Sequence, residues 1–532
     1  MRYVLNIKMI AGISILCLLC LPLLAQKTSS SKGTREQRTG SEQLNNVIVI
    51  VGDDHAAYAL GCYGNKTVET PNLDRFASKA TRFDKAYCNS PVCTPSRQSF
   101  LTGRMPHATG VTLLATALSD TVPTIPEHLR KNGFKTAAIG KTHFQSDIDH
   151  GFDYVIRQDD PLPMAPAYEE YLSNVDESLA ADREFRKNHR PFKDSARLFW
   201  NADVLPAPHF DANDVGTFFA NKTNEFIEKN KDNRFCIWVG LLEPHAPFNF
   251  PIEYADRIDL EEAVVPEGTA ADDPWVPLIF KPLTAEDKKG IIRSYYISVT
   301  CLDKNVGLIL KKLESLNLTE KTLIIYLGDN GYLLNHHKRF EKHAMWEEAV
   351  RVPLIIKAGA LDQNGKRAWP KVVNSLTELV DLAPTIFEAL GVEPPNGLHG
   401  KSLLPLLTGQ KRFVKDMIFS EYLVDNKAMV RTEKYKYIFT NGKADLGLGY
   451  TTGHPPAGIH HELYDMKNDP NETINLADKQ SHKKTVERLR ERLLEEFRRT
   501  HPLTKSIPRD IAIDKQLALF CEPIESGTKA RK

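Results

Sequence analysis

The sequence predicts an α/β protein built on a large, mixed but mostly parallel β-sheet that is flanked by helices. Short apolar runs with the length and composition of buried strands occur at Asn46–Gly52, Thr136–Ile139, Phe235–Leu242, Thr322–Leu327 and Val352–Ile356. Helical patterns alternate with these runs, and such alternation is typical of a sheet with helices on both faces. Polar or glycine-rich residues close the first four runs, as expected where strands end.

The predicted helices lie between the strands and after them. They span Asn72–Lys79, Ile125–Asn132, Val215–Lys229, Ile291–Leu316 and Leu379–Leu390. Beyond a Pro-rich stretch the pattern changes to a hairpin, a further strand and a charged amphipathic helix, at Ala428–Thr432, Tyr435–Phe439, Glu462–Asp465 and Thr485–Thr500. We therefore assign a main domain to residues 44–414 and a smaller C-terminal α+β subdomain to residues 415–532.

The first 25 residues have the pattern of a secretory signal peptide. Arg2 and Lys8 precede an apolar run that ends at the small residue Ala25, and no acidic residue occurs before Glu36. Residues 26–43 are polar and predict a flexible lead-in. We expect cleavage after Ala25, a secreted or periplasmic mature protein and no stable membrane association thereafter; an uncleaved anchor is the alternative.

Composition excludes several classes of protein. The 532 residues are 42% hydrophobic and 26% charged, which is ordinary for a globular protein and not for collagen, a disordered chain or a polytopic membrane protein. The 69 Lys and Arg residues nearly balance the 68 Asp and Glu residues, so no basic excess predicts nucleic-acid binding. The six cysteines that would remain after signal cleavage are sparse and form no CxxC pair, which argues against a disulfide framework or a zinc ribbon but leaves one or two disulfides open.

Chemically useful side chains follow four of the predicted strands. They are Asp53 and Asp54, Lys141 and His143, His245, and Asp329 and Asn330. In open α/β sheets, ligands bind at the carboxyl ends of the strands. Each residue alone is explained as well by a turn, a helix cap or a structural histidine. Together, the carboxylate and amide oxygens suit Ca²⁺ or Mg²⁺ better than zinc.

A fifth element begins at Cys93. Thr94 has the chemistry of a helix N-cap, Pro95 suits the first helical position, and the helix is predicted to run from Ser96 to Thr102. Cys93 would then lie just outside a helix N-terminus, where an anion is favoured. An ordinary capped helix beside a buried cysteine, or a papain-like thiol nucleophile, remains open at this point.

These residues carry a resemblance to a known family. The eleven residues Cys93–Gly103 (CTPSRQSFLTG) match the sulfatase motif C-x-P-S-R-x-x-x-x-T-G throughout. The blocks TPNLD at 70–74, GKTH at 140–143, GDNG at 328–331 and KHAMWEE at 342–348 resemble further sulfatase elements in the same order. The chain therefore resembles the formylglycine-dependent (type I) sulfatases of the alkaline-phosphatase-like superfamily over about residues 45–480, and residues 44–414 would be the catalytic domain.

The resemblance implies a set of roles. A separate maturation enzyme, either a formylglycine-generating enzyme or an anaerobic maturase, would convert Cys93 to formylglycine, whose hydrated aldehyde is the nucleophile. One Ca²⁺, also in contact with the residue at position 93, would be held by Asp53, Asp54, Asp329 and Asn330. The remaining catalytic positions would be Arg97 and Lys141 at the nucleophile, His143 as proton acceptor, and His245 and Lys342 at the sulfate and the leaving oxygen.

Two departures from the family pattern affect substrate binding. Where related sulfatases often carry Gly-Glu-His-Gly, this chain has Asn335-His336-His337-Lys338. His337 aligns with the family's histidine, and Lys338 competes with Lys342 for the role of the late lysine. We favour Lys342 and keep His337 and Lys338 as candidate substrate-binding residues.

Four functions are compatible with the sequence. The favoured one is a secreted sulfuric-ester hydrolase that removes sulfate from a sulfated saccharide, with exo action on glycan fragments. The alternatives are a small aryl or alkyl sulfatase, a phosphoester or phosphonate hydrolase of the same superfamily, and a non-catalytic carbohydrate-binding relative. Two observations favour a chain end over a polymer interior as the substrate. The net charge is near zero, and the irregular stretches 161–208 and 266–282 could wall a pocket.

Overall fold

The computed structural model describes residues 44–158, 184–191, 193–359, 371–443 and 452–524. The predicted signal peptide, the lead-in and much of the stretch 161–208 lie outside these ranges. Among the described residues, no helix combines the length and the apolar character needed to cross a bilayer. The six cysteines in these ranges are all unpaired.

The strands form one large sheet and three smaller ones. In chain order they are β1 (Asn46–Gly52), β2 (Thr81–Phe83), β3 (Ala86–Tyr87), β4 (Lys135–Gly140), β5 (Tyr154–Arg157), β6 (Phe235–Gly240), β7 (Thr322–Gly328), β8 (Leu333–Leu334), β9 (Phe340–Glu341), β10 (Arg351–Val352), β11 (Leu354–Ala358), β12 (Val372–Val373), β13 (Thr377–Glu378), β14 (Met417–Tyr422), β15 (Lys427–Thr432), β16 (Tyr435–Gly442) and β17 (Gly458–Asp465). Within the described residues the large sheet has eight strands in the order β12-β2-β11-β7-β1-β6-β4-β5. This mixed, mostly parallel sheet confirms the predicted fold class.

The helices pack on both faces of the large sheet or follow it. They are α1 (Pro71–Ser78), α2 (Cys93–Thr102), α3 (Pro106–Thr109), α4 (Ile125–Lys131), α5 (Ala196–Phe199), α6 (Val215–Lys229), α7 (Ala285–Ser315), α8 (Glu347–Val350), α9 (Leu382–Leu390), α10 (Leu404–Leu407), α11 (Lys483–Thr500) and α12 (Ile513–Phe520). Helix α7 begins six residues before the predicted start, because Thr284 and Asp287 form a capping box there.

The central strand β1 shows why these residues form a two-sided core. All seven of its residues are buried. Val47, Val49 and Val51 belong to the hydrophobic cluster on one face of the sheet, which includes Phe100 of α2. Ile48 and Ile50 belong to the cluster on the other face, with residues of α1, α6 and α7. Because side chains alternate along a strand, a continuous apolar run fits a strand that is covered on both faces.

One strand prediction was wrong in its details. The run Val352–Ile356 was expected to be a single strand, but Pro353 divides it into β10 and β11, since proline has no N–H to donate to a ladder. β11 pairs antiparallel with β7, and β10 pairs with β3 in a separate small sheet. The large sheet is therefore mixed at this edge.

The C-terminal residues form a four-stranded antiparallel sheet in the order β14-β15-β16-β17, followed by α11 and α12. The predicted hairpin corresponds to β15 and β16, and the predicted later strand to β17. The sequence analysis missed β14, where the polar residues Ser420 and Glu421 interrupt the apolar pattern. Both side chains are buried, and Glu421 accepts hydrogen bonds from the backbone and ring of His107.

Candidate active site

Four neighbouring strands deliver the polar residues to one edge of the large sheet. β1 pairs in parallel with both β7 and β6, and β4 pairs in parallel with β6. The carboxyl ends of these strands therefore meet at the same edge, which is where α/β sheets bind ligands. The residues that follow them are Asp53, Asp54, Lys141, His143, His245, Asp329 and Asn330.

An acidic cluster forms the centre of this edge. One carboxylate oxygen from each of Asp53, Asp54 and Asp329 and the sulfur of Cys93 all lie within 4.8 Å of one another. All four side chains are buried, and Asn330 is buried beside them. The Asn330 side-chain amide donates to Asp54 Oδ1 at 2.9 Å. Residues that are far apart in the chain thus converge on one small volume.

The donors of this cluster fit a divalent cation. Asn330 Oδ1 is buried and accepts no hydrogen bond, and the same is true of Asp53 Oδ1, whose nearest cation is Arg97 Nη2 at 3.3 Å. Buried polar oxygens normally have partners, so unsatisfied ones on residues of a carboxylate cluster suit an ion. Carboxylate and amide oxygens are hard ligands of the kind that Ca²⁺ prefers. The residues that the sequence analysis assigned to Ca²⁺ therefore stand together with suitable chemistry.

Three buried basic side chains surround the carboxylates. Lys141 forms an ion pair with Asp53. Lys342 Nζ lies 2.6 Å from Asp54 Oδ2 and 3.0 Å from Cys93 Sγ. Arg97 donates to Asp329 Oδ2 through Nε at 2.7 Å and to the Lys141 carbonyl through Nη1 at 2.8 Å. Each buried negative charge thus has a cationic partner, without which its burial would be costly.

Ionisation at the cluster reflects burial and these pairings. Burial disfavours the charged carboxylates, but the nearby positive charges together outweigh that effect and lower both pKa values, with Lys141 contributing most at Asp53 and Lys342 most at Asp54. Burial raises the pKa of the Cys93 thiol well above its usual value, and the charge on Asp54 adds to the rise while Lys342 opposes it. A thiolate nucleophile requires a lowered pKa, so the unmodified thiol does not suit the papain-like alternative.

Side chains in the first turns of helix α2 contact the residues that follow two of the strands. Ser96 Oγ donates to the Asp329 carbonyl at 2.5 Å, and Thr94 Oγ1 lies 3.1 Å from His143 Nδ1. The Gln98 side-chain amide donates to the carbonyls of Thr142 at 3.3 Å and His143 at 2.6 Å. The sequence analysis did not assign Ser96 or Gln98 to the site. Both side chains are polar although the helix is buried along its whole length, and this is the feature that marks them as part of the site.

The predicted N-cap of this helix was wrong. The helix begins at Cys93, Val92 occupies the N-cap position in extended conformation, and no side chain caps the helix. Because Thr94 already lies within the helix, its hydroxyl is directed to His143 instead of to a backbone N–H. Cys93 therefore opens the helix, where the first N–H groups have no intrahelical acceptor.

The two candidate histidines differ in exposure. His143 is buried, and burial together with the positive charges of Lys141 and Arg97 lowers its pKa well below the usual value, so it is neutral near pH 7. His245 Nε2 lies 3.7 Å from Asp54 Oδ2, and 36% of its side chain is exposed to solvent. His245 is therefore placed where a molecule arriving from solvent would meet the cluster.

The structure separates Lys342 from the other late candidates. Lys338 Nζ pairs with Asp273 at 2.5 Å, and His337 Nδ1 lies 2.8 Å from Asp272 Oδ1. His337 also stacks on Trp346, with 4.0 Å between ring centroids. Lys342, and not Lys338, reaches the acidic cluster. The assignment of His337 and Lys338 to substrate binding stays a prediction, and both side chains already have protein partners.

The segment that carries Lys342 is held by the C-terminal sheet. Lys436 on β16 is fully buried and pairs with Glu347 Oε1 at 2.9 Å and Glu472 Oε1 at 2.8 Å. The same ammonium donates to the Met345 carbonyl at 3.0 Å, and Glu472 accepts from the Glu347 N–H at 2.6 Å. The sequence analysis missed this arrangement, because nothing in the local pattern indicates that these residues meet.

Two family models match most of the described chain. Residues 45–392 match the family model described as Sulfatase, and residues 335–499 match one described as N-sulphoglucosamine sulphohydrolase, C-terminal. Fold and site together define an α/β enzyme with an acidic, cation-lined centre at the carboxyl edge of its sheet. The chain belongs to the sulfatase family, and its activity is hydrolysis of sulfate esters.

Individual relatives share much of the chain. An N-acetylglucosamine-6-O-sulfatase of Bacteroides thetaiotaomicron is 26% identical and covers 91% of both chains. The iduronate 2-sulfatase of Homo sapiens is 29% identical over 71% of this chain and 74% of its own. These names describe those proteins and bear on the substrate of this chain only as a proposal.

Solved structures share the fold. The phosphonate monoester hydrolase of Agrobacterium radiobacter superposes with a TM-score of 0.72 at 20% identity, over 87% of this chain and 97% of its own. A protein solved in complex with its substrate D-glucosamine-2-N,6-O-disulfate superposes with a TM-score of 0.65 at 22% identity, over 88% of this chain and all of its own. At these identities the likeness is evidence for the fold alone.

The buried ion pairs of Lys436 lead to a stability prediction. We expect Lys436→Met to lower the free energy of unfolding by about 3–5 kcal/mol, because Glu472 would stay buried without its cation and Glu347 would keep only the more distant Arg431 and Arg351. Urea denaturation followed by tryptophan fluorescence measures the change. The matched control is Lys434→Met, since Lys434 is exposed and its nearest carboxylate, Asp465, is 3.9 Å away. Equal stability of the two variants would contradict the proposed dependence on Lys436.

Proposed function

We propose that this sulfatase removes sulfate from a sulfated carbohydrate, acting at chain ends, with formylglycine derived from Cys93 and one Ca²⁺. The observation that carries the proposal is the convergence of Cys93, three carboxylates and their basic partners at one buried edge of the sheet. Asp53, Asp54, Asp329 and Asn330 would hold the ion in contact with the residue at position 93. The complete match of residues 93–103 to the sulfatase motif supports modification of that cysteine.

The reaction needs a nucleophile, a charge-neutralised sulfate and a proton for the departing alcohol. Formylglycine, as its hydrated aldehyde, would supply the attacking oxygen, and a bound cation would supply positive charge beside the sulfate oxygens. Over a full cycle the ester S–O bond breaks, water supplies the new sulfate oxygen, and the alcohol leaves with a proton. The protein's task is to hold these groups in place and to stabilise the added negative charge.

The surrounding side chains fit these tasks. Lys342 is close enough to Cys93 to bind a sulfate oxygen at the reacting centre, and the partly exposed His245 is placed to assist the leaving oxygen. Arg97 fixes Asp329 relative to the Lys141 loop and, with Lys141, orients the residue at position 93. His143 is neutral and therefore able to accept a proton, and Thr94 fixes its ring.

The carbohydrate substrate is inferred from access to the site and from the relatives. Cys93, the carboxylates and both lysines are buried, so a sulfate group must enter a depression whose solvent-facing side includes His245. A depression admits a chain end more readily than a chain interior. Both relatives named above are sugar sulfatases by name, one for a 6-O-sulfate and one for a 2-sulfate.

Export and maturation complete the proposal. We infer that the signal peptide is removed near Ala25, that the mature protein works in the periplasm or outside the cell, and that a separate maturation enzyme oxidises Cys93. The basic and apolar pattern of the first 25 residues supports export. The sequence around Cys93 supports maturation.

The proposed modification predicts a lighter residue at position 93 in active protein. Peptide mass spectrometry on protein from a host with maturation activity should show formylglycine at Cys93 and an unmodified thiol at the nearby buried Cys88, the internal control. The same peptide map should place the mature N-terminus near Gln26. Cys93→Ala should abolish turnover with little change in fold, whereas Cys88→Ala should stay active. Full activity with an unmodified Cys93 thiol would refute the mechanism.

The proposed ion predicts calcium-dependent stability. At a hundredfold excess over its dissociation constant, a bound ion adds about 2.7 kcal/mol, so Ca²⁺ should raise the melting temperature of chelator-treated protein. Asn330→Ala should reduce this increase, because it removes the unsatisfied Oδ1.

The matched control for the calcium prediction is Asn46→Ala. Asn46 is a buried asparagine at the opposite end of β1, so its loss should destabilise the protein without changing the calcium response. Elemental analysis should find one calcium per chain. Two zinc ions per chain would instead support the phosphoester alternative.

The proposed substrate predicts a rank order of rates. We expect fast release of sulfate from sulfated oligosaccharides that carry a terminal sulfated sugar, slow release from intact polymer and weak activity on a simple aryl sulfate. Ion chromatography of released sulfate measures all three, and phosphate and phosphonate monoesters serve as comparison substrates. Turnover of the aryl ester with none on any sulfated sugar would exclude the carbohydrate proposal. Equal rates at polymer ends and interiors would exclude exo action alone.

A further inference from the structure

A large groove lies away from the acidic cluster, where the edge of the large sheet meets the C-terminal sheet. Its volume is about 950 Å³. Edge strand β12 and the residues after it form one side, and the turn between β15 and β16 and the first half of α11 form the other. The segment between α10 and β14 forms the rim. None of the residues assigned to the active site lines it, so it is a separate feature of the protein.

The groove carries an excess of positive charge. Its lining contains Lys411, Arg412, Lys415, Lys434, Arg488 and Arg492, against Asp416 and Glu433 as the acidic members. These acidic side chains are already engaged, Glu433 with Lys85 at 2.5 Å and Asp416 with Arg492 at 3.3 Å. A concave surface lined by one sign of charge concentrates ligands of the opposite sign.

Three of these cations have no carboxylate partner. Within the described part of the chain, no ion pair within 4.0 Å is formed by Lys411, Arg412 or Arg488. All three are exposed, so their charge is available to a ligand. Lys415 differs, because it is held by Glu378 at 2.5 Å and Asp381 at 2.7 Å and serves the protein's own structure. The positive charge available to a ligand is therefore that of Lys411, Arg412 and Arg488.

An aromatic pair accompanies the charge. Phe413 lines the groove next to Lys411 and Arg412 in the chain, and 70% of it is exposed. Tyr435 on the facing wall is half-buried, with Lys434 Nζ 4.8 Å from its ring centroid. Flat apolar rings beside unpaired cations suit a ligand that offers both apolar faces and anionic groups.

We propose that this groove is a second binding site for a sulfated polysaccharide, distinct from the place where sulfate is removed. Sulfate groups of the chain would pair with Lys411, Arg412 and Arg488, and a sugar ring would cover Phe413. A nucleic acid or an acidic peptide also carries negative charge, but the sugar class is favoured because this inference rests on the proposed function, removal of sulfate from a sulfated carbohydrate. Holding a polymer at a second site raises the concentration of its ends near the enzyme.

Direct binding tests this proposal independently of catalysis. Calorimetry with Cys93→Ala protein, which cannot turn over sulfate, would use size-defined dextran sulfate oligosaccharides, neutral dextran of the same lengths, polyglutamate and single-stranded DNA. We expect salt-sensitive binding of dextran sulfate and none of neutral dextran. The triple variant Lys411→Ala/Arg412→Ala/Arg488→Ala should weaken binding about tenfold, equivalent to about 1.4 kcal/mol. Phe413→Ala should also weaken it.

The control removes the same charge elsewhere. Lys229, Lys281 and Lys311 are exposed, lie outside the groove and form no ion pair within the ranges that the structure describes. The triple variant Lys229→Ala/Lys281→Ala/Lys311→Ala should bind dextran sulfate as the parent does. Equal weakening in both triple variants would show that only net charge matters and would overturn the proposal. Unchanged binding after Phe413→Ala would also overturn it, and so would binding of polyglutamate or DNA as tight as that of dextran sulfate.

Catalytic assays separate this proposal from the proposed function. In the Cys93-containing, matured enzyme, the groove triple variant should leave kcat and KM for a small sulfated disaccharide unchanged, since these residues lie outside the active site. It should raise KM for long sulfated oligosaccharides. Loss of binding with normal disaccharide turnover supports the groove, and a parallel loss on substrates of all lengths refutes it. Failure of the parent on every sulfated sugar would refute the proposed function and leave the binding result standing.

Discussion

The arrangement of the site depends on the compensation of buried charge. Asp53, Asp54 and Asp329 lie at the ends of two adjacent strands with almost no access to water. Carboxylates so placed are tolerated only when cations and hydrogen-bond donors surround them. Arg97, Lys141 and Lys342 meet this requirement from a helix, a neighbouring strand end and a late loop. Positions far apart in the chain are thereby fixed to one centre, whose oxygen ligands suit a divalent ion.

The same requirement explains the unusual burial of helix α2. All ten of its residues are buried, although several are polar or charged. Its polar side chains contact the residues that follow β4 and β7, so the helix acts as a brace between strand ends as well as the carrier of Cys93. The nucleophile role proposed for Cys93 requires a fixed position relative to the groups around it. The motif residues after Cys93 thus have structural as well as chemical reasons for their identity.

The C-terminal sheet takes part in this organisation. Lys436 and Glu472 hold the segment between Lys342 and α8 through buried ion pairs and backbone hydrogen bonds. Lys342 in turn contacts Asp54 and Cys93. Removing the C-terminal residues would therefore disturb the site, although none of them belongs to the acidic cluster. The groove on the other side of this sheet adds a surface whose charge the cluster does not use.

The sequence by itself determined the sheet class, the limits of β1 and α6, and the residue types at the strand ends, because a run buried on both faces and a helix with a capping aspartate leave strong local patterns. The motif beginning at Cys93 further identified the family. The tertiary structure decided which late lysine reaches Asp54, how Pro353 divides an apolar run, where Thr94 directs its hydroxyl and how Lys436 meets Glu347 and Glu472. These features depend on contacts between distant parts of the chain. Local sequence patterns do not predict them, because a local pattern does not depend on which distant residues come into contact.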